Sequence, residues 1–531
     1  MRLASLATLR TYLPGTRVSR LVAAAVGIHV LTAWFNGGYL HPDEHWQILE
    51  FAWHRLGHEP ATVLPWEFAE QIRPAFQPWI AAGLITALQF AGVFTPFLAA
   101  FLLRLASALL GLWVSLWLCA LVLPSIRRQT YRRTAFYGTL FLCTAPFLHA
   151  RFSAENWGGA LTFGGLALLL AADAAYGRDG RERDASLPAG IPPPAAKAVA
   201  LAACAGFVWG LAFFCRLQMA PAIAGAILWW VTIRRGSWRL AGVAAAAFLI
   251  AVAANVAIDH WLYHAWLFTP LRYFDVNVLQ GKASTWGTSP WWMVAAPFLL
   301  MVLPPFSVVA LALLIIVVWI CRRHVLVWTV VPFVAAHAAV PHKELRFMAP
   351  MIFAIAPLVA LSLDNLPARL AAWLDGPRRA ALRAVVGRTF VVSNAVALAI
   401  VTLIPALPTY PLLQQVWYAG RDHPVRLLVL PQSLYVHQLS DWHRMRFYQP
   451  DTVSEVKVSD GPDLLTALNA PPGTCVLVLH TGVEPPAVLT AAGIRCVTRA
   501  GSLSRTLRQL DRFGWIGDNH VWTLCEPERD R

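Results

Sequence analysis

Charge is what this sequence has least of. Asp, Glu, Lys and Arg make up 13 % of its 531 residues, where a soluble globular chain carries about a quarter. That excludes a set of water-covered domains, although length alone would suggest several. Lysine is nearly missing. Lys197, Lys282, Lys343 and Lys457 are the only four, so the net charge of +15 is almost all arginine. The arginines stand in short runs between apolar segments, which excludes a nucleic-acid-binding stripe and fits the flanks of membrane spans. Nucleotide loops are absent: there is no GxxxxGKS or GxxxxGKT, and no GxGxxG after a strand. There is no DxD pair to hold a metal on a nucleotide sugar. The eight cysteines contain no CxxC. Cys119, Cys143, Cys204, Cys215 and Cys321 lie in or beside apolar segments and read as small buried hydrophobes. Cys475, Cys496 and Cys525 lie in the tail, where any pair could bond. No internal repeat is visible, which weighs against a transporter built on paired halves.

What is present is hydrocarbon. The hydrophobic fraction is 58 % and the mean hydropathy +0.55. Apolar stretches of about 20 residues, the length that crosses a bilayer, fall near 21–40, 98–123, 134–150, 157–176, 198–215, 218–233, 240–258, 291–320, 325–341, 346–363 and 389–408. The stretch 291–320 is long enough to hide a break at Pro304-Pro305. The segment 77–95 is also apolar. If it lies in the interface, every basic loop falls on the side of the N-terminal Arg2, Arg10, Arg17 and Arg20, as the positive-inside bias requires. The loops concerned carry Arg127, Arg128, Arg132 and Arg133, then Arg234, Arg235 and Arg239, then Arg322 and Arg323, then Arg378, Arg379, Arg383 and Arg388. The expectation is eleven spans, N-terminus inside and C-terminus outside, with 177–197 as an inner linker. Residues 1–409 form the all-α polytopic domain. Residues 410–531 form a small α/β domain on the outer face, from strand-like runs at 425–430, 475–480 and 520–525 and helical stretches at 462–469 and 503–511.

The polar clusters then gather at one face. They are HPDEHWQ at 41–47, RFSAEN at 151–156, CRLQ at 215–218, the stretches at 259–266, 272–277 and 286–292, and HKELRF at 342–347. Ionisable residues at membrane depth are expensive and mark function by default. Pro42 can open a helix with Asp43 and Glu44 at its positive end. A carboxylate held there suits a general base, and plain helix capping is the alternative. Lys343 and Arg346, three apart, would share a helical face and suit a phosphate, one as a point charge and one as a fork. Arg216 is a second phosphate contact or a snorkelling cation. Glu155 and Asn156 are sugar contacts or caps. Trp261, Tyr263, Trp266, Trp286, Trp291 and Trp292 read as an interfacial belt, with sugar stacking the alternative. An outward-facing site has no access to cytosolic nucleotide sugars, so an activated donor must already be in the membrane. That points to a polyprenyl phosphate.

Taken jointly and in order, these motifs resemble glycosyltransferase family 22, lipid-phosphate-mannose-dependent mannosyltransferases of the GT-C class. HPDEHWQ with Glu50, then Trp66-Glu67 and Arg73-Pro74, resembles that family's first luminal loop. Residues 259–292 resemble its Asp-to-Pro-Trp loop, and HKELRF its HKE-x-RF signature. The tail at 429–451 is similar to the GPI-anchor branch of the family. The resemblance implies an inverting, metal-independent transfer without cofactor, from a polyprenyl- or dolichyl-phosphate sugar to a glycan or glycolipid acceptor, within membrane lipid and without nucleic acid. It puts the essential acid on Asp43, with Glu44 as alternate. Lys343, Arg346, His342, Glu344 and Arg216 are expected to bind the donor's phosphate or sugar. His41, Gln47, Glu155, Asn156, Asp259, Asn277 and Trp286 are expected as acceptor or sugar contacts. The arginine and alanine bias fits a bacterial inner membrane with a periplasmic site; an endoplasmic reticulum membrane with a luminal site is the alternative. A lipid-linked-sugar flippase and a glycan ligase or oligosaccharyltransferase are the rival functions.

Overall fold

The computed structural model describes residues 6–183, 196–430, 445–458, 462–469, 471, 472, 474–481, 487–491, 493–501 and 521–527. Seven helices among them are long and apolar enough to cross a membrane: Val18–Phe35, Pro96–Ser125, Ala154–Tyr176, Ala196–Cys215, Trp238–Tyr263, Leu345–Asp364 and Arg379–Leu403. Each corresponds to one of the eleven expected spans. The other four expected spans are shorter or broken. Leu217–Thr232 and Trp291–Met301 are short apolar helices, and Phe306–Ile320 and Val325–Ala339 meet at 115°. The expected break at Pro304-Pro305 falls between Ala296–Met301 and Phe306–Ile320. The expected span 134–150 is two helices, Gln129–Phe141 and Thr144–His149. Asn394 fills the gap between them. Its Oδ1 accepts from Cys143 N at 3.0 Å and its Nδ2 donates to Phe141 O at 2.7 Å, satisfying backbone groups the break leaves bare. The segment 77–95 holds one helix of 15 residues, Phe76–Phe90, ended by Gly92 with φ 68°. That is too short to span and fits the interfacial assignment. The expected linker is partly helical: Ala154–Arg183 runs into it and a new helix starts at Ala196. Residues 184–195 lie outside the described residues, as do the tail stretch 431–444 and the expected helix 503–511.

The chain divides into two compact units: Met1–Asn36, Glu70–Ile80 and Leu102–Ile404; and Gly37–Ala69, Ala81–Phe101 and Pro405–Arg531. The second begins near the expected boundary at 409, but it also takes in the first polar loop. In the first unit, close helix packing rests on small residues. A Cβ on Gly206 would meet the Ala244 carbonyl, and one on Gly210 would meet Ala251 and the Phe248 carbonyl. Helices Ala196–Cys215 and Trp238–Tyr263 therefore approach backbone to backbone, the usual way to gain dispersion contacts where lipid removes the hydrophobic drive. Trp209 donates to Thr162 O at 3.0 Å, tying the next helix in. At one end, Asp364 accepts from the backbone of Arg127 and Arg128 at 2.8 and 2.9 Å, pinning that basic loop.

In the second unit, five strands form one sheet: β1 (Val425–Val429), β2 (Val453–Lys457), β3 (Cys475–Thr481), β4 (Ile494–Gly501) and β5 (Val521–Pro527), in the order β2-β1-β3-β5-β4. β1 is parallel to both neighbours, while β5 is antiparallel to β3 and β4. The doubly parallel strand β1 is apolar but for Arg426, which reaches the carbonyls of Ala467 and Asn469, because both of its faces are covered. β1, β3 and β5 are the three expected runs; β2 and β4 are additional. The helix expected at 462–469 is Pro462–Leu468, whose Leu464 packs with Leu428, Val476 and Val478 in the core. Cys496 and Cys525 sit opposite each other on β4 and β5 and form a disulfide.

Candidate functional site

In the first unit, three cations and two carboxylates meet. Helix Ala196–Cys215 ends at Arg216, whose backbone is extended (φ −160°, ψ 117°) before a short turn, Leu217–Met219. Glu155 lies in the first turn of Ala154–Arg183. Its Oε1 is 2.5 Å from Arg216 and 3.3 Å from Arg346, and all three side chains are buried or nearly so. Arg346 Nε donates to Glu344 at 2.6 Å, and the other oxygen of Glu344 is 3.0 Å from His342 Nε2. His342 Nδ1 lies 2.8 Å from Gly287 O. Both guanidiniums lie over the Phe347 ring, 4.7 Å from its centre for Arg216 and 5.6 Å for Arg346. Lys343 donates to the carbonyls of Ser289 and Val340 at 3.1 and 2.5 Å. Counting Lys343, the cluster keeps one positive charge in surplus.

Two expectations change here. Lys343 and Arg346 do not share a helical face: Glu344 is extended (φ −123°, ψ 150°), and the helical turn starts only at Leu345. Pro341 on one side and the Glu344–Arg346 pair on the other hold HKE as an open strand. Glu155 is not a cap, since Ser153 Oγ accepts from Asn156 N at 3.2 Å and does that work. Glu155 is instead the shared counter-ion of two arginines. Asn156 spans the approach to the helix, donating to the carbonyls of His149 and Arg151 at 2.8 Å each. One residue that sequence reasoning missed is His337. It is 5 % exposed, donates through Nδ1 to Phe333 O at 2.9 Å, and has its ring 6.1 Å from Phe347. Its only signal was being a lone histidine in an apolar run five residues before the HKE motif. Among the described residues, three buried polar atoms here find no hydrogen-bond partner: Arg216 Nε, His337 Nε2 and Asn156 Oδ1.

The remaining candidates of this unit are placed differently. Asp259 is fully buried and holds the chain together: it accepts from Ala75 N at 2.8 Å and Thr269 Oγ1 at 2.7 Å. Asn277 is part-buried in a π-turn, Asp275–Leu279, donating to Tyr273 O at 3.3 Å. Trp286 is 65 % exposed, like Trp266, Trp291 and Trp292, as an interfacial belt would be.

In the second unit, Pro42 opens a four-residue helix, Asp43–Trp46, with Asp43 and Glu44 in its first turn as expected. The Asp43 carboxylate is about one-fifth exposed and 3.4 Å from His41 Nδ1. Gln47 is buried and donates to Glu67 at 3.0 Å, which ties the first turn to the rest of the loop. Behind this turn lies a buried group with His45, Glu50 and Glu59. His45 Nε2 is 2.5 Å from Glu50, which also accepts from Phe447 N at 3.3 Å. Burial, with help from the Glu50 charge, pushes Glu59 up to about 10, and burial pushes Glu50 up to about 7. At neutral pH the pair keeps at least one proton. Burial also drives His45 down to about 3, so its ring is neutral. Among the described residues no three His, Cys, Asp or Glu side chains cluster as metal ligands.

An apolar helical bundle with buried ion pairs where its spans end is an integral membrane protein by construction. The chain belongs to the Alg9-like mannosyltransferase family, whose profile matches residues 21–445, as the motifs led us to expect. It is 27 % identical over 366 residues to GPI mannosyltransferase 3 of Yarrowia lipolytica, covering 68 % of this chain and 65 % of that protein. It is 37 % identical over 102 residues to a probable Dol-P-Man:Man(7)GlcNAc(2)-PP-Dol alpha-1,6-mannosyltransferase of Schizosaccharomyces pombe, covering 19 % of this chain and 18 % of that protein. The chain thus spans just under two thirds of the first relative's length and much less of the second's. The solved structure of ArnT from Cupriavidus metallidurans in the apo state aligns over 96 % of this chain and 97 % of its own, at 12 % identity and a TM-score of 0.47. The fold described above rests on the chain's own elements.

Proposed function

We propose that this protein transfers one mannosyl residue, with inversion, from a polyprenyl-phosphate-linked donor to a glycan or glycolipid on the non-cytoplasmic face of its membrane. The observation that carries the proposal is the Arg216–Glu155–Arg346 cluster with its surplus positive charge. A donor phosphodiester brings one negative charge, and its departure as a phosphate monoester adds more. Fixed guanidiniums stabilise that change without reorganising, and such a contact lowers a barrier by about 2.7–4 kcal/mol. Arg216 Nε, His337 Nε2 and Asn156 Oδ1 are the kind of partners a bound sugar phosphate would satisfy. Because Nδ1 of His337 already donates, the neutral ring leaves Nε2 as an acceptor, suited to a hydroxyl.

In the proposed step the acceptor oxygen attacks C1 of the sugar. Its proton passes to Asp43, the C1–O bond to phosphate breaks, and the lipid phosphate leaves with the bonding pair. Direct displacement turns a β-linked donor into an α-mannoside. Glu44 orients or replaces Asp43. His342 and Glu344 hold Arg346 in place, and Lys343 adds long-range charge. The step calls on no metal or cofactor. The arginine-rich loops support an outward-facing site by charge bias, and the Cys496–Cys525 disulfide supports an oxidising compartment for the C-terminal region. The test is transfer by purified Asp43→Asn protein from polyprenyl-phosphate-mannose, alongside its melting curve. A fall of about 10²–10⁴-fold in kcat with the fold intact is expected of a lost general base. Undiminished transfer would remove Asp43 from that role.

A further inference from the structure

Three residues beyond the 431–444 stretch are seated in the acidic loop. Arg446–Tyr448 form a single 3-10 turn, and Met445, Phe447 and Tyr448 are almost wholly buried. The backbone N–H of Phe447 donates to Glu50, and its ring meets Trp53 edge-on at 5.6 Å and Phe94 at 6.5 Å. The Tyr448 ring stacks on His45 at 5.3 Å and on Phe97 at 5.3 Å. Arg446 lies 4.0 Å from Glu59, whose backbone carbonyl accepts from His54 Nδ1 at 2.7 Å. A few residues on, the same strand of chain enters the sheet as β2, and Thr452 donates to the Gly420 carbonyl. His45, which carries both the Tyr448 stack and the Glu50 bond, belongs to the same four-residue helix as Asp43.

We infer that Arg446, Phe447 and Tyr448 are a plug in the pocket made by His45, Glu50 and Glu59, and that through His45 this plug sets the position of the Asp43 turn. The inference rests on the reading of Asp43 as the base. These six are positioning residues: they act through the turn and touch no substrate. A four-residue helix has no internal stability of its own, so the Asp43 carboxylate can keep a fixed place only if something outside the helix holds it. The plug supplies an aromatic face for His45 and a backbone donor for Glu50. The C-terminal region thereby takes part in the chemistry without contributing a reacting group.

The pocket also carries a pH signature. The groups facing Glu50 are His45, Glu59 and Arg446, and those facing Glu59 are Glu50, His45 and Arg446. One carboxylate is balanced by Arg446, and a second is not. Deprotonating both carboxyls puts two like charges in a buried space, which pushes the loop and plug apart.

The experiment uses the full-length protein in detergent. Amide hydrogen exchange over residues 41–56 and steady-state transfer kinetics are compared for Phe447→Ala, Glu59→Gln and the parent. Phe447→Ala is expected to speed exchange across 43–50 and to lower kcat by about 100-fold, the scale of a misplaced catalytic group, with donor KM within about twofold, as transition-state-only effects require. Glu59→Gln keeps the shape and removes one charge, so its ratio of activity at about pH 10.5, above the Glu59 titration, to that at about pH 6.5 should exceed the parent's. Faster exchange with kcat unchanged would overturn the positioning role, as would unchanged exchange. An unchanged pH ratio in Glu59→Gln would overturn the account of the pocket. Should Phe447→Ala fail to fold, Glu59→Gln decides alone. If Asp43→Asn were active while Phe447→Ala still loosened the loop, the reading of the base would fail and the plug would stand as a structural tether.

Discussion

The two units solve the same problem of buried charge in opposite ways. In the first, two guanidiniums, those of Arg216 and Arg346, share one counter-ion, Glu155, and both lie over the Phe347 ring. In the second, Glu50 and Glu59 can take up a proton, so burial neutralises part of the charge and Arg446 handles the rest. A permanently cationic cluster suits a ligand that brings negative charge of its own. A proton-sharing carboxyl pair suits an internal joint, stable over a limited pH range. Removing a counter-ion should therefore hurt the first unit most, and changing pH should hurt the second.

Glu155→Ala should give the largest effect. It takes the counter-ion from buried Arg216 and one of two carboxylate partners from Arg346, and breaking a buried pair by deleting one partner costs about 3–5 kcal/mol; chemical denaturation of the purified protein checks it. A double variant, Glu155→Ala with Arg216→Met, should recover part of that loss, and strict additivity would mean the pair is not coupled. Next is Arg346→Lys. It keeps the charge and loses the fork that reaches Glu344 and Glu155 together. Transfer kinetics should show kcat lower by about 10²-fold, with stability little changed.

The pH prediction sharpens the comparison from the other side. Glu50 and Glu59 titrate above the ordinary carboxyl range in the folded protein, so they bind protons more tightly than in the unfolded chain. Their contribution to stability is complete below about pH 4 and is lost as pH rises through about 7 and on toward about 10. His45 titrates below its ordinary value, so its contribution holds above about pH 6.5 and is lost as pH falls toward about 3. Exchange protection of the 41–56 loop should therefore peak at mildly acid to neutral pH, while protection around Glu155 stays level through the alkaline range. Parallel curves for both regions would erase the distinction. Smaller again is Asp259→Asn, which weakens the bonds to Ala75 and Thr269 and should cost about 1–3 kcal/mol in melting experiments. Smallest is Trp286→Ala: a residue 65 % exposed should move stability by under about 0.5 kcal/mol, read from a melting curve.

Much of this was legible in the sequence, for a physical reason. A lipid-spanning helix must be about 20 apolar residues long, so seven spans announce themselves. The gap at residue 142 does not, because it is stabilised by Asn394, some 250 positions away. β2 and β4 escaped notice because edge strands such as VSEVK and IRCVTRAG interrupt their apolar residues with charged and polar ones. At the candidate site, Asp43 in a first turn and Arg216 at a helix end followed from local rules, and the structure keeps both. Glu155, Asn156, Gln47 and Asp259 were recognised as unusual polar residues, but what each holds is a long-range fact. HKE was read as helical because the spacing of Lys343 and Arg346 permits it. The pairing of Arg346 with Glu344 and Glu155 opens the strand instead. Glu59 and His337 follow no motif at all.

The most direct test of the central claim is product analysis on the full-length protein reconstituted in liposomes, supplied with β-linked polyprenyl-phosphate-mannose and a glycolipid acceptor. The account predicts that each acceptor gains a single α-linked mannose on the face carrying the C-terminal region, and that equimolar lipid phosphate is released. Retention of the β-linkage, transfer of a whole preassembled glycan, or movement of the donor across the bilayer with no new glycosidic bond would contradict it.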